Sequence, residues 1–340
     1  MQKKWVILSS TAGVLVIVLG VVAFMLFGQN NPVLKKIAGK FTATEDSEKK
    51  VCPLDGLPAS EEKASAKPLG VMVENMSTIR PQSGLSKACI VVEALAEGGI
   101  TRFLVIFNHR DAKSIGPVRS ARPYYVAVAK GFNAVYAHAG GSTVGLQKIK
   151  EYAIDDLDQF KFASAYWRQS GKRAPHNLFT STKKLRTESE KAGLTDTSYD
   201  SFEFGDKKLD GKKASDIRIA FSSKAYNVQY KYDKKSNKYK RFNGGIKHTD
   251  ANNNKQISPA NIIVLRADTS ALEGETLNID IIGSGKGYLF RNGKYVAINW
   301  NKESANTQIS ITDESDEEVK LTAGQIWVEI VKTDTKVEVQ

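Results

Sequence analysis

Apolar positions fall along this chain in three textures. The first is an uncharged run from Trp5 to Phe27, preceded by Lys3 and Lys4. At helical rise it can cross a hydrocarbon core of about 30 Å, so it predicts one transmembrane helix over 5–27 with a cytoplasmic tail over 1–4. The run exceeds the roughly 7–15 residues of a cleaved signal peptide and no cysteine closes it, which predicts a retained signal anchor and not a lipoprotein. The two lysines favour a cytoplasmic N-terminus, although Lys35, Lys36 and Lys40 beyond the run weaken the asymmetry. Residues 28–50 are polar and charge-mixed and read as a linker.

In the second texture, β-branched and aromatic runs alternate with amphipathic segments. Ile90 to Phe107 is divided by Gly98-Gly99 and reads as a hairpin with a two-residue loop. Pairing Glu97 with Ile100 would place Glu93, Glu97 and Arg102 on one face and Ile90, Val92, Phe103, Val105 and Phe107 on the other. A helix over Ser86–Ala96 would bring the same two acids together at i, i+4. A Gly-Pro turn at 116–117 then feeds a helix with Pro123 in its first turn. Phe132–His138 reads as a strand, Ala139–Ser142 as a glycine loop, and Thr143–Tyr152 as a helix. A further helix is predicted over Thr182–Ala192, ended by Gly193.

From Ile217 onward the texture becomes short alternating strands, among them Val228–Tyr232, Lys238–Phe242, Ile262–Arg266, Lys294–Trp300 and Gln325–Lys332. Arg291-Asn-Gly-Lys294 is a hairpin turn, and Trp300 and Trp327 are predicted core residues. The fold class is thus mixed α/β (α+β) on a single transmembrane helix. An N-terminal α/β domain with a mixed sheet spans 51–195, a polar connector 196–216, and a mainly β domain 217–340.

The net charge of +12 changes this picture only modestly. Residues 1–50 hold seven Lys/Arg against three Asp/Glu, so the larger share belongs to the predicted ectodomain. A basic surface outside a bacterial membrane favours anionic partners such as a wall polymer or an envelope protein; nothing here specifies nucleic acid. Cys52 and Cys89 both fall in the ectodomain, where an even pair is expected to form a disulfide. No His cluster accompanies them at ligand spacing, so no metal is expected.

Candidate chemistry concentrates between Glu93 and Asn177. Arg119 and Arg122 crowd a helix start, where cations oppose the helix dipole unless they help hold an anion. Pairing of these arginines with Glu93, Glu97 or Asp111 is the structural alternative. His138, Gly140 and Gly141 form a strand–glycine-loop–helix junction, without a dinucleotide fingerprint or phosphate-loop lysine. No cofactor is expected. Arg173, His176 and Asn177 lie in a loop dense in donors, and His248 reads as solvated.

The series Cys-Pro-Leu-Asp-Gly (52–56), Arg-Pro-Gln-Ser-Gly-Leu-Ser-Lys-Ala (80–88), Glu-Gly-Gly-Ile-Thr-Arg (97–102), Gly-Pro-Val-Arg-Ser-Ala-Arg (116–122), His-Ala-Gly-Gly-Ser (138–142) and Arg-Ala-Pro-His-Asn (173–177) resembles the YerB-like family of bacterial envelope proteins. Tyr-Lys-Tyr-Asp (230–233), Leu-Phe-Arg-Asn-Gly-Lys (289–294) and Ala-Gly-Gln-Ile-Trp-Val-Glu (323–329) extend the likeness through the C-terminal half. The resemblance implies a membrane-tethered, two-part α/β and β ectodomain without an established activity. Many members resemble lipoproteins, and Cys89 stands where they commonly have an acid, which strengthens the expectation of a Cys52–Cys89 bridge.

Two functions follow as expectations for a single-pass membrane protein with its C-terminal ectodomain outside. In the first, Arg102, Arg119, Arg122, His138, Gly140, Gly141, Arg173, His176 and Asn177 line a cleft that recognises an anionic group on a wall polymer or partner. In the second, a hydrolase or transferase of envelope glycans or peptides uses Glu93 or Glu97 with His138 or His176 as its acid–base pair. No serine or cysteine lies in a nucleophile motif.

Overall fold

The apolar runs of both halves meet in one sheet. The computed structural model describes residues 50–272 and 277–340, so the predicted anchor over 5–27 and nearly all of the predicted linker lie outside the described residues. Among the described residues no helix is long and apolar enough to cross a membrane.

Leu69–Glu74, Ile90–Leu95 and Thr101–Phe107 are buried along their whole length. Strands read this way when both faces of their sheet are covered. Along the sheet the order is Lys212–Lys213, Lys294–Lys302, Gly283–Arg291, Asn261–Ala267, Ile326–Lys332, Ile90–Leu95, Thr101–Phe107, Leu69–Glu74, Val135–His138 and Asp156–Asp158, with Ser310–Thr312 pairing beside Lys294–Lys302. The junction of the halves is the parallel pair Ile326–Lys332 with Ile90–Leu95, which sets Glu329 beside Glu93. Both halves therefore contribute strands to one sheet, and of the 196–216 segment Lys212–Lys213 pairs at its edge.

One face of the sheet packs on the helix Pro123–Gly131, through Ile90, Val92, Leu104, Ile106, Ile263, Ile330 and their neighbours. The other packs on a second, five-stranded sheet ordered Ile246–Lys247, Lys238–Asn243, Asn227–Asp233, Asp216–Ala220 and Val337–Val339. That second sheet alternates as a half-buried sheet should: Ile217, Ile219, Val228, Tyr230 and Tyr239 point inward, and Arg218, Lys231 and Lys240 are exposed.

Local signals explain most boundaries. Pro123 opens the first long helix, Ser142 caps Thr143–Glu151 by accepting from the Gly145 amide, and Ser181 caps Thr182–Lys191 by accepting from Lys184. Asn292 and Gly293 both take positive φ, as the tight hairpin turn requires. Trp300 and Trp327 are in the core.

The Ile90–Phe107 hairpin forms, but its register differs from expectation by one residue. Leu95 pairs with Thr101, Ala94 with Arg102 and Glu93 with Phe103. Gly98 and Gly99 both adopt left-handed conformations inside a longer loop, closed by the Ala96 amide donating to Ile100 O at 2.7 Å. A one-residue shift moves every side chain to the opposite face. Glu93 thereby parts from Arg102 and faces the second sheet, and Ser86–Ala96 is not a helix.

Candidate functional site

Three polar clusters stand out; the sequence pointed to the arginines of the first and to the cysteine pair of the third. Arg102 lies on Thr101–Phe107 directly across from Glu74, the last residue of Leu69–Glu74. The strand-like segment before the helix carries Arg119 and ends at Arg122, the helix N-cap. Its backbone is pinned to the sheet by the Arg119 amide donating to Met72 O at 3.0 Å. These three arginines meet two carboxylates. Glu97 accepts from Arg102 Nη2 at 3.2 Å and from both Nε and Nη2 of Arg122, the latter at 2.6 Å. Glu74 accepts from His176 Nδ1 at 2.8 Å and lies 3.5 Å from Arg119 Nε.

Three guanidinium groups thus share two carboxylates, leaving a positive excess before His176 is counted. Burial disfavours the Glu97 carboxylate, but the Arg122 hydrogen bond and the charges of Arg102 and Arg122 outweigh it and lower its pKa. Burial, followed by the like charge of Arg122, lowers the pKa of Arg102. Arg119 Nε is buried without a hydrogen-bond partner among the described residues. His176 and Arg119 retain 27% and 21% side-chain exposure, enough for an outside group to reach them.

Other predicted members do not converge in the same way. His138 is fully buried, its ring held between Gly140 O at 2.8 Å and Asp156 at 3.2 Å, so it does not line a surface. The Gly140 amide donates to Asp158 Oδ1 at 3.0 Å, which removes it from any anion cradle. Gly141 packs against Ala121 and Leu146. Arg173 is exposed on the loop that carries His176, and Asn177 is occupied by Arg168 at 2.7 Å and Lys172 O at 3.2 Å. Glu74 was missed because Leu69–Glu74 reads as a core strand; its one sequence signal is an acid ending an apolar run.

The second cluster is entirely buried between the two sheets. Glu93 accepts from Thr101, from Asn75 at 3.1 Å and from Arg241, whose Nε donates to Tyr230 Oη at 3.0 Å. Tyr230 in turn donates to Glu329, and the Arg241 guanidinium lies 4.1 Å from the Trp327 ring centroid. His248 is buried between Arg241 and Gln82, contrary to the expectation that it is solvated. Burial and the charges of Arg241 and Arg80 push its pKa well down. Glu93 is closed to solvent and cannot act as an acid or base on an outside substrate.

The third cluster joins Cys52, Asp55, Cys89 and His109, whose donor atoms all lie within 4.8 Å of one another. The expected disulfide is not formed: the two sulfurs are 3.9 Å apart and both cysteines are free, whereas a bond requires about 2.05 Å. The sulfurs meet because the Cys52 turn closes over the end of the Ile90–Phe107 hairpin, a placement that leaves them in contact without bringing them to bonding distance.

Comparison with known proteins gives a consistent answer. Residues 54–195 match the family described as "Protein of unknown function (DUF3048) N-terminal domain", and residues 217–328 match the corresponding C-terminal domain. The chain is 33% identical over 297 residues to the Bacillus subtilis (strain 168) protein named "Putative lipoprotein YerB", covering 85% of this chain and 88% of that protein. It superposes on the crystal structure of B. subtilis YerB with a TM-score of 0.77 and 32% identity, over 85% of this chain and all of that one.

Proposed function

The chain belongs to the DUF3048 family through both of its halves, and on that premise we propose that it is a membrane-associated, extracytoplasmic envelope protein that binds an anionic group through Arg102, Arg119, Arg122 and His176. The location rests on the Trp5–Phe27 run and on the lipoprotein name of its relative. A retained anchor over 5–27 would do for this chain what a lipid does for a lipoprotein.

The observation that carries the binding reading is the crowding of three arginines around two carboxylates, with Arg119 and His176 still partly exposed. Like charges held together are stabilised by an incoming anion. The Arg119 side chain makes no hydrogen bond among the described residues and keeps 21% exposure through atoms other than its buried Nε, so it is the group an anion would engage first. Exposed Lys172 and Arg173 on the neighbouring loop add to the attraction. Anionic wall polymers, or an acidic face of an envelope protein, supply such a ligand.

Co-sedimentation of the full chain with isolated cell walls, before and after extraction of their anionic polymers, tests this. Binding should fall on extraction and with added salt. Equal binding to both preparations would overturn it.

The Glu74–His176 pair favours a second reading, a hydrolase or transferase. Glu74 fixes the Nδ1 side of the ring, and Nε2 has no hydrogen-bond partner among the described residues, as a general base requires. Release of soluble wall fragments by the wild type but not by His176→Ala would select this reading over simple binding.

A further inference from the structure

We propose that Cys52, Asp55, Cys89 and His109 form a structural zinc site, independent of the anion-binding surface. Tetrahedral zinc takes sulfur at about 2.3 Å and nitrogen or oxygen at about 2.0–2.2 Å, so its donors stand roughly 3.3–3.8 Å from one another. Here the two sulfurs are 3.9 Å apart, His109 Nε2 is 3.1 Å from Asp55 Oδ2, and the whole set fits within 4.8 Å. Small side-chain rotations therefore suffice to surround an ion.

The backbone already fixes the donors. Cys52 and Asp55 belong to one turn, closed by the Gly56 amide on Cys52 O at 2.8 Å. Gly56 takes a φ of +67°, and a Cβ there would meet Phe204 at 2.7 Å. Cys89 immediately precedes the strand Ile90–Leu95, its amide donating to Ile106 O at 2.9 Å. His109 follows the end of Thr101–Phe107 by two residues. Three chain segments distant in sequence thus present four donors to one point, all of them buried.

The donor set selects the ion. Two thiolates and an imidazole suit zinc and disfavour magnesium or calcium, which prefer oxygen ligands. Four protein ligands leave no open coordination position, which makes a closed, structural site and not a catalytic one. Two thiolates and a carboxylate around a divalent cation leave one negative charge. Arg110 supplies the balancing positive charge, its Nη2 donating to Asp55 Oδ2 and to Ala88 O, both at 2.7 Å. On binding, both thiol protons and the proton that His109 Nε2 shares with Asp55 leave to solvent. The bound ion would clamp the start of the described chain, two residues after Lys50, to the central hairpin.

The test uses the full chain, purified in detergent with a thiol reductant and no chelator. Metal analysis should find a single zinc ion per chain, and exchange with cobalt should give a thiolate-to-cobalt charge-transfer band. Cys89→Ser should lose both signals. Arg110→Ala, which keeps all four donors, should weaken zinc binding about 10- to 100-fold. Should Cys89→Ser fail to fold, the cobalt spectrum of the wild type carries the test alone. A folded wild type without the thiolate–cobalt band, zinc content equal in wild type and folded Cys89→Ser, or a Cys52–Cys89 disulfide in zinc-free native protein would each overturn the proposal.

Discussion

Arg241→Ala removes a fully buried guanidinium at the place where strands from the two halves meet. The variant loses the hydrogen bonds to Glu93 and Tyr230 and the contact with Trp327. It leaves the Glu93 carboxylate buried with only Asn75 and Thr101 as donors. Glu329 lies on the neighbouring strand, and burial followed by the charge of Glu93 already pushes its pKa well up. Removing one partner of a buried ion pair costs about 3–5 kcal/mol, a large fraction of the roughly 5–15 kcal/mol that holds a domain folded. Glu93→Gln combined with Arg241→Met removes both charges and should recover much of that loss, because paired neutral replacements are often close to neutral in stability. Urea unfolding followed by tryptophan fluorescence and circular dichroism measures each step. The continuous sheet predicts one transition for the wild type, seen alike by both probes. An Arg241→Ala cost below about 1 kcal/mol, additive effects of the two single substitutions, or two separate transitions would refute the reasoning.

Other consequences follow from single contacts. The native pKa of Glu97 lies below its unfolded value of about 4.3, so its ion pairs contribute stability above that pH and lose it as pH falls through the native pKa. Glu97→Gln should therefore show a flatter acid limb in a plot of melting temperature against pH. A Cβ on Gly287 would stand 2.0 Å from Val264 O, so Gly287→Ala should destabilise by about 1–3 kcal/mol; an unchanged melting temperature would contradict the pairing of these strands. If the apolar N-terminal run is a retained anchor with its N-terminus inside, protease added to cells with opened walls should remove everything beyond roughly residue 30, and full protection would contradict that topology.

Local chemistry was legible wherever one residue decides a conformation. The helix starts at Pro123, Thr143 and Thr182 and the hairpin at Asn292-Gly293 read directly from the sequence, and the structure adds the Ser142 and Ser181 caps. What failed was register, because two adjacent glycines permit loops of different length and a one-residue difference exchanges the faces. Glu93 moved from the presumed site to a buried network by that slip alone. The arginine cluster survived because Glu97 lies in the loop, where Arg102 and Arg122 both reach it regardless of strand register. Glu74, His248 and the Asp55–His109 contact depend on residues 54 to 166 positions apart in the chain. No periodicity or spacing reports contacts at that range. The basic loop around Arg173 was read as dense in donors, and of that loop only His176 joins the arginine cluster, through Glu74.

The most direct test of the anion-binding account compares Arg119→Ala with wild type in two measurements on the same preparations. Calorimetric titration with a soluble anionic wall polymer gives affinity, and urea unfolding gives stability. Arg119 is partly exposed, makes no side-chain hydrogen bond among the described residues and has only a 3.5 Å contact with Glu74, so its loss should weaken binding by about 1.5–3 kcal/mol, roughly ten- to 150-fold, with the unfolding midpoint nearly unchanged. Equal affinity in the two proteins, or a lowered midpoint with normal binding by the folded fraction, would contradict the account and leave the arginines a structural role.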